Sequence, residues 1–375
     1  VKLSVITSSL ALVVLGGISQ QAAAICTVTG NSQQVIQLQV PNITVGRDVP
    51  LGTRLYRQEF SANTSAVARC TFASGRLVYE LRARWIAAPL RLSSWNTGPL
   101  AGRVYESGVQ GIGVAFNAGG VWLPTASGAQ ISSCGSITNG TCTISMAGVG
   151  VSAIDLIKIG DVVGSGVISG NTFSTYEHLI FQDGVSSPYL RSSFSGTINV
   201  VSRTCQTPDV QVDMGVHPVS TFNQADSATP WKNFSIALNN CPAFYGTNPV
   251  AGGWSLSPNT SNIPATLASP HQDNSLQVNL TGTVPAIDGS RGILALNPAG
   301  AGAARSATGV GVQLANSDGV PVRIGPNAWI PSGITTQARD GASYTIPLKA
   351  RYLRTSGPMG PGQANATVQF TINYQ

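Results

Sequence analysis

Charge is the scarcest commodity in this chain. Of 375 residues only 21 are Lys or Arg and 15 are Asp or Glu, leaving a net charge of +6. Low charge beside 42% apolar residues excludes a disordered chain, which needs the opposite balance. The positive surplus is spread thinly, 11 basic against 8 acidic residues over 25–198 and 9 against 7 over 199–375. No Lys/Arg run marks a phosphate-tracking face, which argues against nucleic acid as a partner. The 42 glycines follow no three-residue period, so a collagen-like chain is excluded. GxSxG, HExxH and P-loop motifs are all missing, and no spacing singles out two of Glu59, Glu80 and Glu106 as a catalytic dyad. An enzyme is therefore not expected. The six cysteines form no CxxC pair, and His178, His217 and His271 are far apart, so neither a metal nor any other cofactor is expected.

What is present begins at the N-terminus. Lys2 precedes an apolar stretch, Leu3 to Gly17, and then Gln20-Gln21-Ala22-Ala23-Ala24. A positive start, an apolar core and a small-x-small ending have the order of a secretory signal peptide. Residues 1–24 are expected to be removed, making Ile25 the mature N-terminus. No later segment approaches the ~18 apolar residues needed to span a bilayer. In an exported chain an even set of cysteines reads as disulfides, with fifteen pairings open. Nearest-neighbour pairing would give Cys26–Cys70, Cys134–Cys142 and Cys205–Cys241, the last stabilising by roughly 3–4 kcal/mol in the loop-entropy model.

Apolar residues recur with period two almost everywhere. Ile36, Leu38 and Val40 alternate with Gln37 and Gln39. Leu77, Tyr79, Leu81, Ala83 and Trp85 share one face, as do Ile112, Val114 and Phe116. Val210/Val212/Met214, Phe234/Ile236/Leu238, Val310/Val312/Leu314 and Tyr344/Ile346/Leu348 repeat the pattern in the second half. Alternation buries one face of a strand and wets the other. Strands at short intervals between Gly/Ser/Asn/Pro stretches predict an all-β protein of antiparallel sandwiches. A boundary is expected near residues 199–204, dividing the mature chain into 25–201 and 202–375, each with three tryptophans (Trp85, Trp95, Trp122; Trp231, Trp254, Trp329).

The last residues carry the most specific pattern. Ala366, Val368, Phe370, Ile372 and Tyr374 share one face, with Thr367, Gln369, Thr371 and Asn373 on the other. By itself this is a final sandwich strand with one buried side. With Gly362 fourteenth from the end and Tyr374 penultimate, it resembles the C-terminal signature of pilus subunits assembled by the chaperone–usher pathway. Cys205-Gln-Thr-Pro-Asp-Val-Gln-Val-Asp-Met-Gly and Trp231-Lys-Asn-Phe-Ser-Ile-Ala-Leu-Asn-Asn-Cys241 are similar to the start of such a pilin domain. The resemblance implies an immunoglobulin-like sandwich that lacks its last strand. It also implies a periplasmic chaperone that first supplies that strand, an outer-membrane usher, and a neighbouring subunit whose N-terminal strand then replaces the chaperone's. The face from Ala366 to Tyr374 is the expected assembly surface. Only Ile25 precedes Cys26 in the mature chain, so the subunit is expected to receive a strand without donating one, which places it at the distal tip.

Residues 25–201 resemble the receptor-binding domain of two-domain tip adhesins, nearest to that of type 3 fimbriae. Asp48-Val-Pro-Leu-Gly52, Gly111-Ile-Gly-Val-Ala-Phe116 and Asp155-Leu-Ile-Lys158 with Gly164-Ser-Gly166 carry the likeness. Cys26 and Cys70 stand where that family has its N-terminal disulfide, whereas the Cys134/Cys142 pair departs from it. Ile25 is not aromatic, unlike the mature N-terminus of mannose-binding relatives. The implied receptor is a host glycan or an extracellular-matrix protein. Aromatic faces beside oriented polar groups suit such a site, and Arg91, Trp95, Asn96, Arg103, Tyr105 and Trp122 are the candidates, with core packing the competing role for the tryptophans. The alternative is a structural minor subunit whose first domain is a spacer.

Overall fold

A computed structural model describes residues 25–30, 32–61, 64–71, 78–87, 90–124, 130–131, 134, 136–138, 140–148, 151–249 and 270–375. The expected signal peptide, Leu77 and Trp254 lie outside the described residues. The protein is all-β. Its strands form six sheets among the described residues, interrupted by 3-10 turns at Gly98–Leu100, Gly170–Thr172 and Val219–Phe222.

Four sheets precede Ser202. One five-stranded sheet runs in the order Gln130–Ile131, Tyr79–Trp85, Tyr176–Gln182, Val185–Ser195 and Ser32–Gln37. It shares a core with a second five-stranded sheet, Arg54–Ser61, Val151–Lys158, Ile112–Ala118 and Tyr105–Glu106, in which Val121–Trp122 also pairs with Ile112–Ala118. Ile36, Tyr176 and Phe194 come from the first, and Tyr56, Phe60, Phe116 and Ile154 from the second. A three-stranded sheet, Gly166–Ser169, Thr197–Val201 and Asn42–Thr44, adds Ile168, Ile198 and Ile43 to that core. Burying each such side chain stabilises by ~1.5–3 kcal/mol. Half-buried Trp85 packs against this core, edge-on to Tyr105, Phe116 and Tyr176 at centroid distances of 5.6, 5.1 and 5.8 Å. The remaining sheet, Cys26–Thr29, Val67–Thr71, Thr141–Ser145 and Ser136–Thr138, packs Cys26, Ala68, Cys70 and Met146 over Tyr79, Ile180 and Tyr189.

Among the described residues the strand ladders are antiparallel apart from two. Val185–Ser195 runs parallel to Ser32–Gln37, and Thr197–Val201 parallel to Asn42–Thr44. Antiparallel order is dictated by tight hairpins, and no hairpin joins strands drawn from opposite ends of a domain.

The second group of sheets runs Lys232–Cys241, Ala342–Arg354, Val310–Asn316, Ile293–Leu294 and, facing it across a separate core, Trp329–Pro331, Leu276–Gly282, Val368–Tyr374. Ile236, Leu238, Leu314, Ile346 and Leu348 meet Val278, Leu280 and Ile372 there. Disulfides join Cys26 to Cys70, Cys134 to Cys142 and Cys205 to Cys241.

The two groups are stitched together by backbone. Thr44 N–H donates to the Gly246 carbonyl at 3.0 Å, Asn248 N–H to the Leu55 carbonyl at 3.0 Å, and Arg57 N–H to the Asn248 carbonyl at 2.9 Å. The segment around Asn248 thereby covers an edge of Arg54–Ser61 that would otherwise be an unpaired template.

Candidate functional site

Strand Val368–Tyr374 pairs on one side with Leu276–Gly282, from Tyr374 opposite Leu276 to Val368 opposite Gly282. It is the last strand of its sheet, so its second edge has no strand beside it among the described residues. Its inward side chains change character along its length. Ile372 and Tyr374 are buried, whereas Val368 and Phe370 are only half-buried although they pack on the same core. Val210 and Met214 contact that core too and are likewise half-buried, while Gln211 and Asp213 between them are exposed. No sheet ladder incorporates residues 207–217. The result is an apolar cleft with a polar backbone edge, open beside Val368 and Phe370 and closed at Tyr374.

Local chemistry explains the closed end. The Tyr374 hydroxyl accepts from the Cys205 amide at 3.1 Å, and the Cys205–Cys241 disulfide holds that segment down. Burial is the main cause of a Tyr374 pKa above the ordinary phenol value, so the group stays neutral. Ala366 precedes the ladder and half-covers the core. Gly362 serves another purpose. A Cβ there would lie 2.4 Å from the Arg305 carbonyl oxygen and 2.5 Å from the Ala307 nitrogen, so glycine permits this backbone crossing.

In the first group of sheets, Trp95 and Trp122 come together. With Leu100 and Ile159 they cover Val104, Ala115 and Ile157, a small apolar layer outside the main core. This layer is why Ile112–Ala118 is buried along its whole length, which simple alternation does not foretell. The Trp95 ring lies against Gly52, where a Cβ would stand 3.3 Å from Cζ2. Trp122 lies under the Arg57 guanidinium, 5.9 Å from the ring centroid, within cation–π range. Asn96 is exposed and Arg103 half-buried on the segment that follows Trp95. Arg91 is exposed and pairs with Glu106 at 2.7 Å. Tyr105 lies apart from these, buried in the main core with its hydroxyl accepting from Trp85 Nε1 at 2.9 Å.

Sequence reading missed the charged group beside Trp122. Asp155 is fully buried and pairs with Arg54 and Arg57 at 3.0 Å each, and Arg57 also reaches Glu59 at 2.8 Å. Desolvation raises the Asp155 pKa more than the two guanidinium groups lower it. A single acid inside the apolar run Ala153–Ile157, with Arg57 and Glu59 two apart on a paired strand, was the available signal.

Residues 192–375 match the family model for fimbrial protein. Over 188 residues the chain is 30% identical to a type-1 fimbrial protein subunit of Serratia marcescens, an alignment spanning 48% of this chain and 84% of that protein. The chain belongs to the fimbrial protein family. Residues 36–197 of this fimbrial protein match the model of the MrkD-like receptor binding domain. Similar solved structures include the CupB6 tip adhesin of Pseudomonas aeruginosa, at 15% identity and a TM-score of 0.34 over 93% of this chain and 94% of that one. The receptor binding domain of the plasmid-born adhesin MrkD1P of Klebsiella pneumoniae is similar at 19% identity and a TM-score of 0.32, over 48% of this chain and 98% of that one. A fimbrial protein of this kind is exported to a cell-surface fimbria.

Proposed function

We propose that this fimbrial protein is a tip adhesin in which residues 25–201 bind a receptor and residues 202–375 form a pilin unit completed by a strand from another subunit. The observation that carries this is the open cleft beside Val368 and Phe370, combined with the use made of the chain just ahead of Cys205. Thr197–Val201 is locked into a sheet of the first unit between Gly166–Ser169 and Asn42–Thr44. The segment directly preceding the pilin unit is therefore committed to the receptor unit and is not free to complete a neighbour. Leaving Val368 and Phe370 half-covered forfeits part of the ~1.5–3 kcal/mol that each would contribute when fully buried, and an incoming alternating strand recovers it. A periplasmic chaperone supplies such a strand first, the usher exchanges it, and the adjacent subunit's N-terminal strand replaces it. Attachment needs no bond-making chemistry.

The layer around Trp95 and Trp122, with Arg91, Asn96 and Arg103 nearby, is the receptor surface in this reading, and its aromatic and guanidinium groups suit a glycan or a matrix protein. The test is an array of glycans and matrix proteins probed with the chain from residue 25, prepared in an oxidising compartment. Saturable binding to one ligand class, weakened by Trp122→Ala without unfolding, is the expected result. A folded chain that binds neither class would leave a structural spacer.

A further inference from the structure

The open edge ends at a definite place, and the first unit ends it. Gln375 and Ser275 exchange both main-chain hydrogen bonds, at 3.0 and 2.8 Å. Odd-numbered residues of the terminal strand therefore aim their backbone groups at Leu276–Gly282, and even-numbered residues aim theirs at the open side. On that side the groups of Val368 and Phe370 have no strand to meet among the described residues. Those of Tyr374 are taken. Asp48 N–H donates to the Tyr374 carbonyl at 3.3 Å, and Tyr374 N–H donates to Asp48 Oδ2 at 3.1 Å. Arg47 Nη2 donates to the Ile372 carbonyl at 3.2 Å. Gly46 lies so close that a Cβ would stand 2.0 Å from the Tyr374 carbonyl oxygen. The turn is anchored from behind, because the buried Lys158 donates its ammonium to the Arg47 carbonyl.

We propose that Gly46–Asp48 of the receptor unit is an end stop on the strand-accepting edge of the pilin unit. It confines an incoming strand to Val368, Phe370 and the amide of Ile372, and excludes it from Tyr374. This rests on the strand-acceptance reading given above. Asp48 presents a donor and an acceptor where the next residue of an added strand would present the same pair, so both cannot occupy that position. A strand that reaches for the Ile372 carbonyl must first displace Arg47. The receptor unit thus fixes how far the occupant slides, which an edge of repeating backbone groups cannot do by itself. The occupant is a β-strand with alternating apolar side chains whose last paired residue faces Ile372.

The test uses the chain from residue 25 extended beyond Gln375 by a glycine-rich linker and a strand of alternating valine and threonine. Amide hydrogen exchange is read residue by residue with and without this tail. The expected result is that the tail slows exchange at Val368 and Phe370 by at least about tenfold and leaves the Asp48 amide as protected as before. If the tail slows Val368 and Phe370 but the Asp48 amide speeds up by about tenfold, the strand has run past Tyr374. The end stop is then overturned and strand acceptance stands. If the tail protects neither Val368 nor Phe370, both readings fall together.

Discussion

Trp85 Nε1 donates to the hydroxyl of Tyr105 at 2.9 Å inside the first core, with the two rings edge-on at 5.6 Å. Tyr105 is 4% exposed, so its phenol is committed to the indole. Tyr105→Phe keeps the ring and removes the acceptor, leaving the half-buried indole N–H of Trp85 without its partner. The expected cost is ~1–3 kcal/mol in a urea unfolding curve, with receptor affinity unchanged in the folded fraction. A large loss of binding with no loss of stability would return Tyr105 to the receptor surface.

The exposed residues invite the opposite outcome. Arg91 and Glu106 form an exposed surface pair that solvent screens, so it adds little to stability. Arg91→Ala should leave the thermal midpoint within about a degree or two, so any loss on the receptor array reports contact. Trp122→Ala is expected to do both, because the ring half-covers Ala115 and Ile157. Comparing Trp122→Ala with Trp122→Phe separates the two effects.

His178 sets an acid limit. It is buried with Nε2 unpartnered, its ring lying 5.2 Å from that of Tyr176 and 5.8 Å from that of Tyr189. Burial pushes its pKa down from 6.5 to about 4. Below pH 6.5 the unfolded chain takes up a proton that the folded chain refuses, so stability is full above that pH and falls until about pH 4. The full loss amounts to about 3 kcal/mol. Denaturant midpoints at pH 7 and pH 5 should differ in the native chain and converge in His178→Leu. An equal acid drop in both would assign the loss to other groups.

Much of the architecture was legible because period two is a local signal. Phe234, Ile236 and Leu238, or Val310, Val312 and Leu314, announce their strands without help from distant residues. The open edge was foreshadowed by the resemblance of the residues up to Tyr374 to a pilin C-terminus and not by their alternation, which fits any closing strand, and which inward positions stay uncovered depends on residues 205–214 and on the first unit. The outer layer was hidden, since Trp95 sits in a loop, Trp122 in a strand of only two residues, and both reach the same apolar layer only when the sheet beneath is built. The burial of Tyr105 was hidden for a related reason, its two-residue strand being too short to show a period. Asp48 and Tyr374 lie 326 residues apart, and no spacing rule connects them.

The gradient of burial along the terminal strand makes the sharpest prediction. Ile372 is 6% exposed and fully packed, whereas Phe370, two residues earlier on the same face, is half-buried. Ile372→Ala should cost the free chain ~2–5 kcal/mol, as large-to-small changes in closed cores do. Phe370→Ala removes a larger side chain and should nevertheless cost less than Ile372→Ala, because water already reaches the ring and no sealed cavity forms. Once a strand occupies the cleft the order should reverse, since Phe370 is then covered on both sides. Thermal midpoints of both variants, with and without the fused valine–threonine tail, check this directly. Equal penalties at Phe370 in the open and filled states would mean that the cleft is not where the strand goes.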